Sequence, residues 1–427
     1  MKEDFLQYVW QFQHFEKMNL KTTHAETLSV LSSGLKNVDE GPDFFNARIV
    51  IDDQQWAGNV EIHLKSSDWY AHNHHTDINY DNVILHVVYE HDAEIFRKNE
   101  EVIPTLELHN RIPSKVLEKY NFLFQKNQKW INCQEYFSNF DEFLIQSWLT
   151  RLYIDRLEEK SKLIQELLQR SNNNWNAVLF YMLAKSFGLN KNGQSFTSIV
   201  ESIGFEKIQK LKNSTFQLEA LLLGQAGFLD DIENTDSYYL ALKNEFDYLL
   251  KKYKILHKAA IKPVFFRLRP NNFPTIRLVQ LACLYTQNNA LFNNFMNSSS
   301  VKELKKLFVI KLPSFWETHN TFKSVHNKRT KQLSSNFINL VLINAVIPLQ
   351  YVYQKQKVIG YNEDFLRLAQ SIPIENNSVV KQYQKLKPSV FKNALHSQGL
   401  LNLKINFCDK NRCFSCNLGF SFIKGKY

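Results

Sequence analysis

The first third of the chain alternates apolar and polar positions in short runs. Helical spacing of apolar residues followed by period-two alternation predicts one helix and three strands, at residues 4–17, 28–34, 43–52 and 55–65. Asp52 and Asp53 form the predicted turn between the last two strands. A polar segment with a short helix then leads to a β-branched run at 83–90, which predicts a fourth strand.

From about residue 141 the pattern becomes helical. Residues 144–171 form a predicted long amphipathic helix, and further apolar repeats of three and four residues follow, with helix ends near Gly188 and Gly227. The fold class is therefore a mixed α+β sheet domain followed by a large all-helical domain. The predicted boundaries are 1–135 for the sheet domain, 136–400 for the helical domain and 401–427 for a cysteine-containing C-terminal segment.

Composition narrows the class of protein. The 427 residues are 44% hydrophobic, which suffices for a large core. The formal charge of +10 favours an anionic partner such as nucleic acid, although many basic soluble proteins bind none. No run of 18 apolar residues occurs, and the N-terminus carries acidic residues, so we expect a cytoplasmic protein that does not enter a membrane.

The third predicted strand carries a series of polar groups. Glu61, His63 and Lys65 alternate with apolar residues, so all three face one side of the sheet. Asp43, at the head of the preceding strand, reaches the same face if the two strands pair. Two carboxylates beside a cation suit Mg²⁺ or Mn²⁺ and phosphodiester hydrolysis. A solvated hairpin surface is the alternative interpretation.

The order of these elements resembles the core of the PD-(D/E)XK nuclease superfamily. Asp43 matches the aspartate of the second strand, and Glu61-Ile62-His63 matches the acidic-x-Lys motif with histidine in place of lysine. The resemblance implies a restriction-endonuclease-like sheet in which Asp43 and Glu61 hold Mg²⁺ or Mn²⁺ and His63 or Lys65 orients water. A non-catalytic scaffold of the same fold, which binds nucleic acid or protein, remains the alternative.

Histidines cluster in the segment HNHHTDINYDN. Its candidate ligands are His72, His74, His75, Asp77, Tyr80 and Asp81. Imidazoles and carboxylates suit Zn²⁺, so a zinc-dependent hydrolase centred on His72, His74 and Asp77 is a third hypothesis. Solvated loop histidines are the simpler explanation. His86, within an apolar strand, is interpreted as a hydrogen-bonded core histidine.

Several side chains are candidates for contacts with nucleic acid. Arg267, Arg269 and Arg277 flank a proline-containing turn that enters a helix, where guanidinium groups can bind phosphates. A structural role in pairing with carboxylates is equally compatible with the pattern. Trp69 or Tyr70 could stack on an unpaired base.

The cysteines suggest a second metal site. Cys408, Cys413 and Cys416 crowd near the C-terminus, and Cys133 can supply a fourth thiolate, whereas Cys283 lies in an apolar helix. Four thiolates bind structural Zn²⁺ or an iron–sulfur cluster, and the C-x4-C-x2-C spacing matches the plant-type ferredoxin pattern. Free thiols are the alternative.

Several longer segments resemble one family. They are GPDFFNARIVI, WAGNVEIHLKSSDWYAHNHHTDINYDNVILHVVYEHD, RLRPNNFPTIRLVQLA and the terminal cysteines. The chain is identified as a member of the bacterial family called domain of unknown function 2851, of Bacteroidetes type. Membership implies that these motifs belong to one architecture, and it brings no activity with it.

Overall fold

A mixed sheet forms the N-terminal part of the protein. The computed structural model describes residues 1–37, 39–124, 129–257, 260–357 and 363–425. Within them the sheet has six strands: β1 Leu28–Ser32, β2 Leu35–Lys36, β3 Phe44–Ile51, β4 Gln54–Lys65, β5 Val83–Glu90 and β6 Thr105–Glu107. Their order is β1-β3-β4-β5-β6, with β2 beside β3.

The pairing of the strands changes from antiparallel to parallel at β4. β3 pairs antiparallel with β1 and with β4, whereas β4 and β5 run parallel, as do β5 and β6. The register places Glu61 opposite His86. Gly58 permits this pairing, because an added Cβ would lie 2.4 Å from Cγ2 of Ile84 and 2.7 Å from the backbone oxygen of Asn82.

The first helix, α1 (Glu3–Gln11), packs against β4 and β5. Phe5, Val9 and Trp10 are fully buried there, and the Trp10 indole donates to the Ser33 carbonyl oxygen at 3.0 Å. The helix is shorter than predicted, because Gln13 adopts a left-handed φ of 50° and turns the chain away.

The chain forms two compact units. Residues 1–148 with 403–427 form one, called here the sheet unit, and residues 149–402 form the other, called the helical unit. The predicted order of a mixed sheet with helices and then a largely helical region is confirmed, since 54% of the chain is helical and 12% is strand. The sheet unit also holds α2 Asp68–Ala71, α3 Ser114–Phe124, the start of α4 Glu142–Arg170, and α19 Asn417–Lys424.

The remaining helices build the helical unit around one hydrophobic core. They are α5 Trp175–Phe187, α6 Leu189–Ile203, α7 Phe205–Lys210, α8 Thr215–Gln225, α9 Ser237–Tyr253, α10 Pro274–Thr286, α11 Leu291–Asn297, α12 Val301–Lys306, α13 Phe315–Thr318, α14 Ser335–Val341, α15 Ile347–Gln356, α16 Asp364–Ser371, α17 Ser378–Leu386 and α18 Ala394–Asn402. A short hairpin, β7 His319–Thr321 and β8 Ser324–Val325, lies between α13 and α14.

Glycines mark two of the helix ends, as predicted. Gly188 caps α5, and Gly227, with φ of 77°, follows the end of α8. One helical stretch, Ser335–Gln356, is long and apolar enough to cross a membrane by length and composition. Because 78% of its most apolar window is buried within the protein, it has the character of a core helix.

Candidate metal centre

Two carboxylates from adjacent strands lie side by side. Asp43 immediately precedes β3, and Glu61 lies in β4. The backbone N–H of Asp43 donates to Oε2 of Glu61 at 3.0 Å, and the N–H of Ile62 donates to Oδ2 of Asp43 at 3.2 Å. Both hydrogen bonds hold the carboxylates on the same side of the sheet.

Three imidazoles converge on the same place. Nε2 of His63 lies 3.5 Å from Oε1 of Glu61, and Nε2 of His74 lies 3.4 Å from that oxygen. Nδ1 of His72 is 3.1 Å from Nε2 of His63. One ligand nitrogen from each of the three histidines falls within 4.8 Å of the others, a spacing that one metal ion can bridge.

Local turns orient the histidines of the loop that follows β4. Asn73 adopts the left-handed conformation (φ 61°, ψ 25°), which asparagine tolerates, and it separates His72 from His74. The His74 ring stacks on Tyr80 with 3.8 Å between ring centroids. Asp77 caps the following turn by accepting the Asn79 N–H at 2.9 Å. These contacts fix His74 over Glu61.

Helix α1 adds two side chains that the sequence analysis missed. Nε2 of Gln7 donates to Oδ1 of Asp43 at 2.7 Å, and Oε1 of Glu3 lies 4.0 Å from Nε2 of His63. The sequence offered one indication of their role, because Glu3 and Gln7 lie four residues apart and therefore share one face of the helix. The spacing does not show which strand that face covers.

A cavity of about 490 Å³ opens onto this cluster. Its walls carry six carboxylates and three imidazoles, and the lining residues are Glu3, Gln7, Asp39, Glu40, Gly41, Asp43, Glu61, His63, His72, His74, Asp77, Asn79 and Tyr80. Exposure rises from the buried His63 through the half-buried His74 to the exposed His72. The three imidazoles therefore extend from the sheet to the opening of the cavity.

Burial and mutual repulsion raise the pKa values of the carboxylates in this cluster. Burial, followed by the charge of Glu61, raises the pKa of Asp43 to about 7. Burial also raises the pKa of Glu61 to about 8. Glu3 is affected in the same way, since burial and then the charges of Asp43 and Glu61 raise its pKa to about 7. Without a cation, these groups resist ionisation together.

Burial favours the neutral form of two imidazoles in the cluster, His63 and His74. Burial, followed by the neighbouring histidines, lowers the pKa of His63 to about 2, and burial lowers the pKa of His74. Behind them, His86 is fully buried, and its Nε2 lies 2.9 Å from Nδ1 of His63. Burial lowers the pKa of His86 to about 3. Neutral imidazoles keep the lone pairs that a metal needs.

This donor set fits a divalent metal ion. His63, His72 and His74 offer ring nitrogens, and Glu61 and Asp43 offer oxygens that a cation would help to ionise. Nitrogen-rich sites of this kind suit Zn²⁺, Mn²⁺ and other transition metals, whereas Mg²⁺ prefers oxygen ligands alone. Glu61 and His63 are thus brought together as expected from their alternation along the strand.

Lys65 lies away from the cluster. It is the last residue of β4, its side chain is 52% exposed, and its Nζ lies 3.8 Å from carboxylate oxygens of both Glu90 and Asp92. It does not line the cavity. The expectation that Lys65 orients water at Asp43 and Glu61 is therefore not supported.

The two aromatic candidates have structural contacts. Trp69 is 1% exposed in a small core with Tyr80, and its indole donates to the Phe96 carbonyl at 3.3 Å. The hypothesis that Trp69 stacks on a base is wrong for this conformation, because no ring face is free. The Tyr70 hydroxyl donates to the Glu94 carbonyl at 3.0 Å, and its ring meets His75.

The three arginines belong to the helical unit. Arg277 is 5% exposed, and it donates to Gln280 at 2.8 Å and to Asn272 at 2.6 Å. Its guanidinium also lies 3.4 Å from the centre of the Phe337 ring. A phosphate contact by Arg277 is therefore wrong for this conformation, whereas Arg267 and Arg269 are exposed.

All four candidate cysteines belong to the sheet unit. Cys133 lies in a turn, Cys408 ends one short helical segment, Cys413 begins another, and Cys416 directly precedes α19. None of the four forms a disulfide. Burial, followed by the other three thiols, raises the pKa of Cys133 well above its ordinary value. Unlike the three imidazoles, the described thiols do not form a group with ligand atoms within 4.8 Å of one another. Cys283 is buried in α10, as predicted.

The fold and cluster define a protein whose N-terminal mixed sheet carries a candidate metal centre of carboxylates and imidazoles. The chain belongs to the family described as "Protein of unknown function (DUF2851)", whose family model matches residues 3–378. The predicted membership is confirmed. The match includes every residue of the metal centre, whereas the three C-terminal cysteines lie beyond it. No curated protein and no solved structure matches the chain.

Proposed function

We propose that the protein is a metal-dependent nuclease that hydrolyses phosphodiester bonds at this centre. The observation that carries the proposal is the convergence of Asp43 and Glu61 with three imidazoles at the base of an open cavity. Asp43, Glu61, His63, His72 and His74 are the proposed ligands. A bound divalent ion would polarise a phosphoryl oxygen and lower the pKa of a water molecule.

The surrounding residues have distinct roles in this proposal. Gln7 orients Asp43 through its 2.7 Å hydrogen bond, and His86 orients the His63 ring from behind at 2.9 Å. Glu3, 39% exposed at the cavity wall, is placed to accept a proton from the attacking water. His63 takes the position that lysine holds in the PD-(D/E)XK motif.

Charge supports nucleic acid as the substrate. In the sequence of the helical unit, Lys and Arg outnumber Asp and Glu by 34 to 18, whereas the sheet unit holds 18 against 24. The cavity alone is acidic and would repel phosphate, so a cation has to bind before the substrate does. The basic helical unit supplies the general attraction to a polyanion.

The test uses the purified full-length protein with single- and double-stranded DNA and RNA. We expect cleavage that requires Mn²⁺, Zn²⁺ or Mg²⁺ and that falls below detection in Asp43→Asn and Glu61→Gln. Asp53→Asn, in the exposed turn between β3 and β4, is the matched control and should cleave normally. Equal cleavage by the wild type and Asp43→Asn would refute the proposal.

The rival function is a non-catalytic scaffold that binds nucleic acid or a protein. The position of Lys65, outside the cavity, favours it, because the site then lacks the cation of the nuclease motif. Calorimetry separates the two. Nucleic-acid binding by a protein that takes up no Mg²⁺, Mn²⁺ or Zn²⁺ would support the scaffold.

A zinc-dependent hydrolase of another substrate is the second catalytic candidate. The spacing of His63, His72 and His74 favours it, and Asp77 lines the same cavity. Competition calorimetry should show tighter binding of Zn²⁺ or Mn²⁺ than of Mg²⁺. Zinc-dependent hydrolysis of activated esters without cleavage of nucleic acid would favour this candidate over the nuclease.

We also propose that Cys133, Cys408, Cys413 and Cys416 hold a structural Zn²⁺ or iron–sulfur cluster. Backbone N–H groups of Leu418 and Gly419 donate to the Cys416 sulfur, and the Asn132 amide donates to the Cys413 sulfur at 3.4 Å. Such N–H donors stabilise thiolates. Ion binding would have to draw the sulfurs together.

Elemental analysis tests the cysteine site. Cys413→Ser and Cys416→Ser should each lose one equivalent of zinc or the visible absorbance of an iron–sulfur cluster. Cys283→Ser, which removes the buried thiol of α10, and His72→Ala should retain that metal. Identical metal content in Cys413→Ser and Cys283→Ser would contradict the assignment. We also propose a cytoplasmic location, where thiols stay reduced and can bind a metal.

A further inference from the structure

The helical unit contains a large polar cavity that the proposed nuclease chemistry does not use. Its volume is about 950 Å³, within the range of ligand-binding pockets. Seven asparagines, two arginines and one carboxylate line it, together with Gln398 and a few apolar residues. A wall so rich in amide groups offers hydrogen-bond donors and acceptors at many positions.

The charge of this cavity is positive. Arg156 and Arg269 line it, and Glu375 is its one acidic residue among those that the structure describes. Glu375 is already engaged, because its Oε2 accepts the Ser397 hydroxyl at 2.8 Å and the Gln398 amide. Two guanidinium groups outnumber this single carboxylate, so the wall favours an anion.

The arginines are presented in different ways. Nε of Arg156 donates to Oε1 of Gln398 at 2.7 Å, a contact that holds the guanidinium by one of its three nitrogens, and Arg156 lines the cavity. Arg269 is exposed at the start of a short turn. One hydrogen-bonded and one exposed guanidinium can together hold a phosphate.

The N-terminus of α17 also lies at this cavity. Ser378 and Val379, the first two residues of α17, line the cavity, and Asn377 caps that helix by accepting the Val380 N–H at 2.9 Å. The first amides of a helix have no partner within it, and they favour negative charge. This is a third group suited to phosphate.

Asn339 is a buried polar residue in the wall of this cavity. It is 8% exposed and lines the cavity, and its Oδ1 has no hydrogen-bond partner among the residues that the structure describes. A buried carbonyl oxygen without a donor is costly, and rotation of the Asn339 side chain into the cavity would bring this oxygen to a ligand N–H or O–H. Asn272 differs from Asn339 in that its side-chain oxygen already accepts a hydrogen bond from Arg277. Its amide nitrogen can still donate to a ligand.

We propose that this cavity binds a nucleotide, with the phosphate at Arg156, Arg269 and the start of α17, and the base against the asparagine wall. Asparagine amides match the paired donors and acceptors of base edges. The proposal goes beyond the nuclease function, because it depends on residues of the helical unit alone. Nucleic-acid cleavage could fail while this site still binds its ligand.

Isothermal titration calorimetry of the full-length protein with AMP, adenosine and inorganic phosphate tests the proposal. We expect saturable binding of AMP, weaker binding of phosphate, and little of adenosine. Arg269→Ala should weaken AMP binding about tenfold or more through loss of a charge-assisted contact. Asn339→Leu should weaken AMP more than phosphate, because it removes only the acceptor for the base.

Controls keep the outcome interpretable. Arg151→Ala removes an exposed arginine of α4 outside the cavity and should bind AMP as the wild type does. Arg269 is exposed, so its variant should melt like the wild type. Absence of AMP binding, equal affinity for AMP and phosphate, or wild-type affinity in Arg269→Ala would each overturn the nucleotide assignment. Asp43→Asn should bind AMP normally.

Discussion

The side chain of Gln7 donates a 2.7 Å hydrogen bond to Oδ1 of Asp43. The bond joins the first helix to the head of β3 and sets the orientation of a proposed metal ligand. Gln7→Ala should lower metal affinity about 10- to 100-fold, because outer partners of ligands tune metal sites by such factors. Calorimetric titration with Mn²⁺ or Zn²⁺ measures the change.

The matched control for Gln7 is Gln11→Ala at the end of the same helix, which does not line the cavity. It should bind metal like the wild type. Unchanged affinity in Gln7→Ala, with a normal melting temperature, would show that the hydrogen bond does not position the ligand.

His86 should matter to metal binding although it lies behind the cavity. Its Nε2 is 2.9 Å from Nδ1 of His63, so it selects the ring orientation that presents Nε2 to the metal. His86→Leu removes this partner and should weaken metal binding about 10- to 100-fold, whereas His86→Gln, which keeps a polar group, should weaken it less. Equal affinities in the two variants would contradict the orienting role.

Glu219 should make the helical unit less stable as the pH rises. It is fully buried; Oε1 accepts from Trp316 at 2.6 Å and Tyr238 at 2.9 Å. Burial raises its pKa from 4.5 to about 7, so the folded protein holds this proton more tightly than the unfolded chain. The resulting stabilisation is complete below pH 4.5 and is lost as the pH rises through 7.

The Glu219→Gln variant tests this linkage. Relative to the wild type, its free energy of unfolding should rise between pH 5 and pH 8 by about 3 kcal/mol. Urea melts at the two pH values measure the change, with the exposed Glu206→Gln as control. A wild-type-minus-variant difference that does not depend on pH would disprove the buried titration.

Arg277 should contribute to stability and not to the binding of nucleic acid. Its guanidinium is buried, donates to Gln280 and Asn272, and lies over the Phe337 ring. Arg277→Ala should lower the free energy of unfolding by about 2–4 kcal/mol, because it leaves buried acceptors without donors. The exposed Arg367→Ala should change it by about 0.5 kcal/mol or less. Urea denaturation distinguishes the two.

Local pattern was enough to predict four of the six strands in the sheet. Strands β3, β4 and β5, the turn at Asp52 and Asp53, and the helix ends at Gly188 and Gly227 all follow from short-range alternation and turn chemistry. Strands β2 and β6, of two and three residues, are too short to carry a detectable period.

Placement of the site residues was only partly visible in the sequence. Alternation along β4 puts Glu61 and His63 on one face, and it puts Lys65 there as well. Only the tertiary structure shows that Lys65 lies beyond the cavity, beside Glu90 and Asp92. Strand periodicity determines the side of the sheet and not the distance along it.

The sequence by itself determined that carboxylates and imidazoles share one face of a strand, because side-chain direction follows backbone period. The tertiary structure decided which distant groups join them. Gln7 and Glu3 come from α1, and His72 and His74 come from a loop turned by Asn73. Such contacts depend on how helices and loops pack on the sheet, and packing is a property of the whole unit that local pattern does not contain.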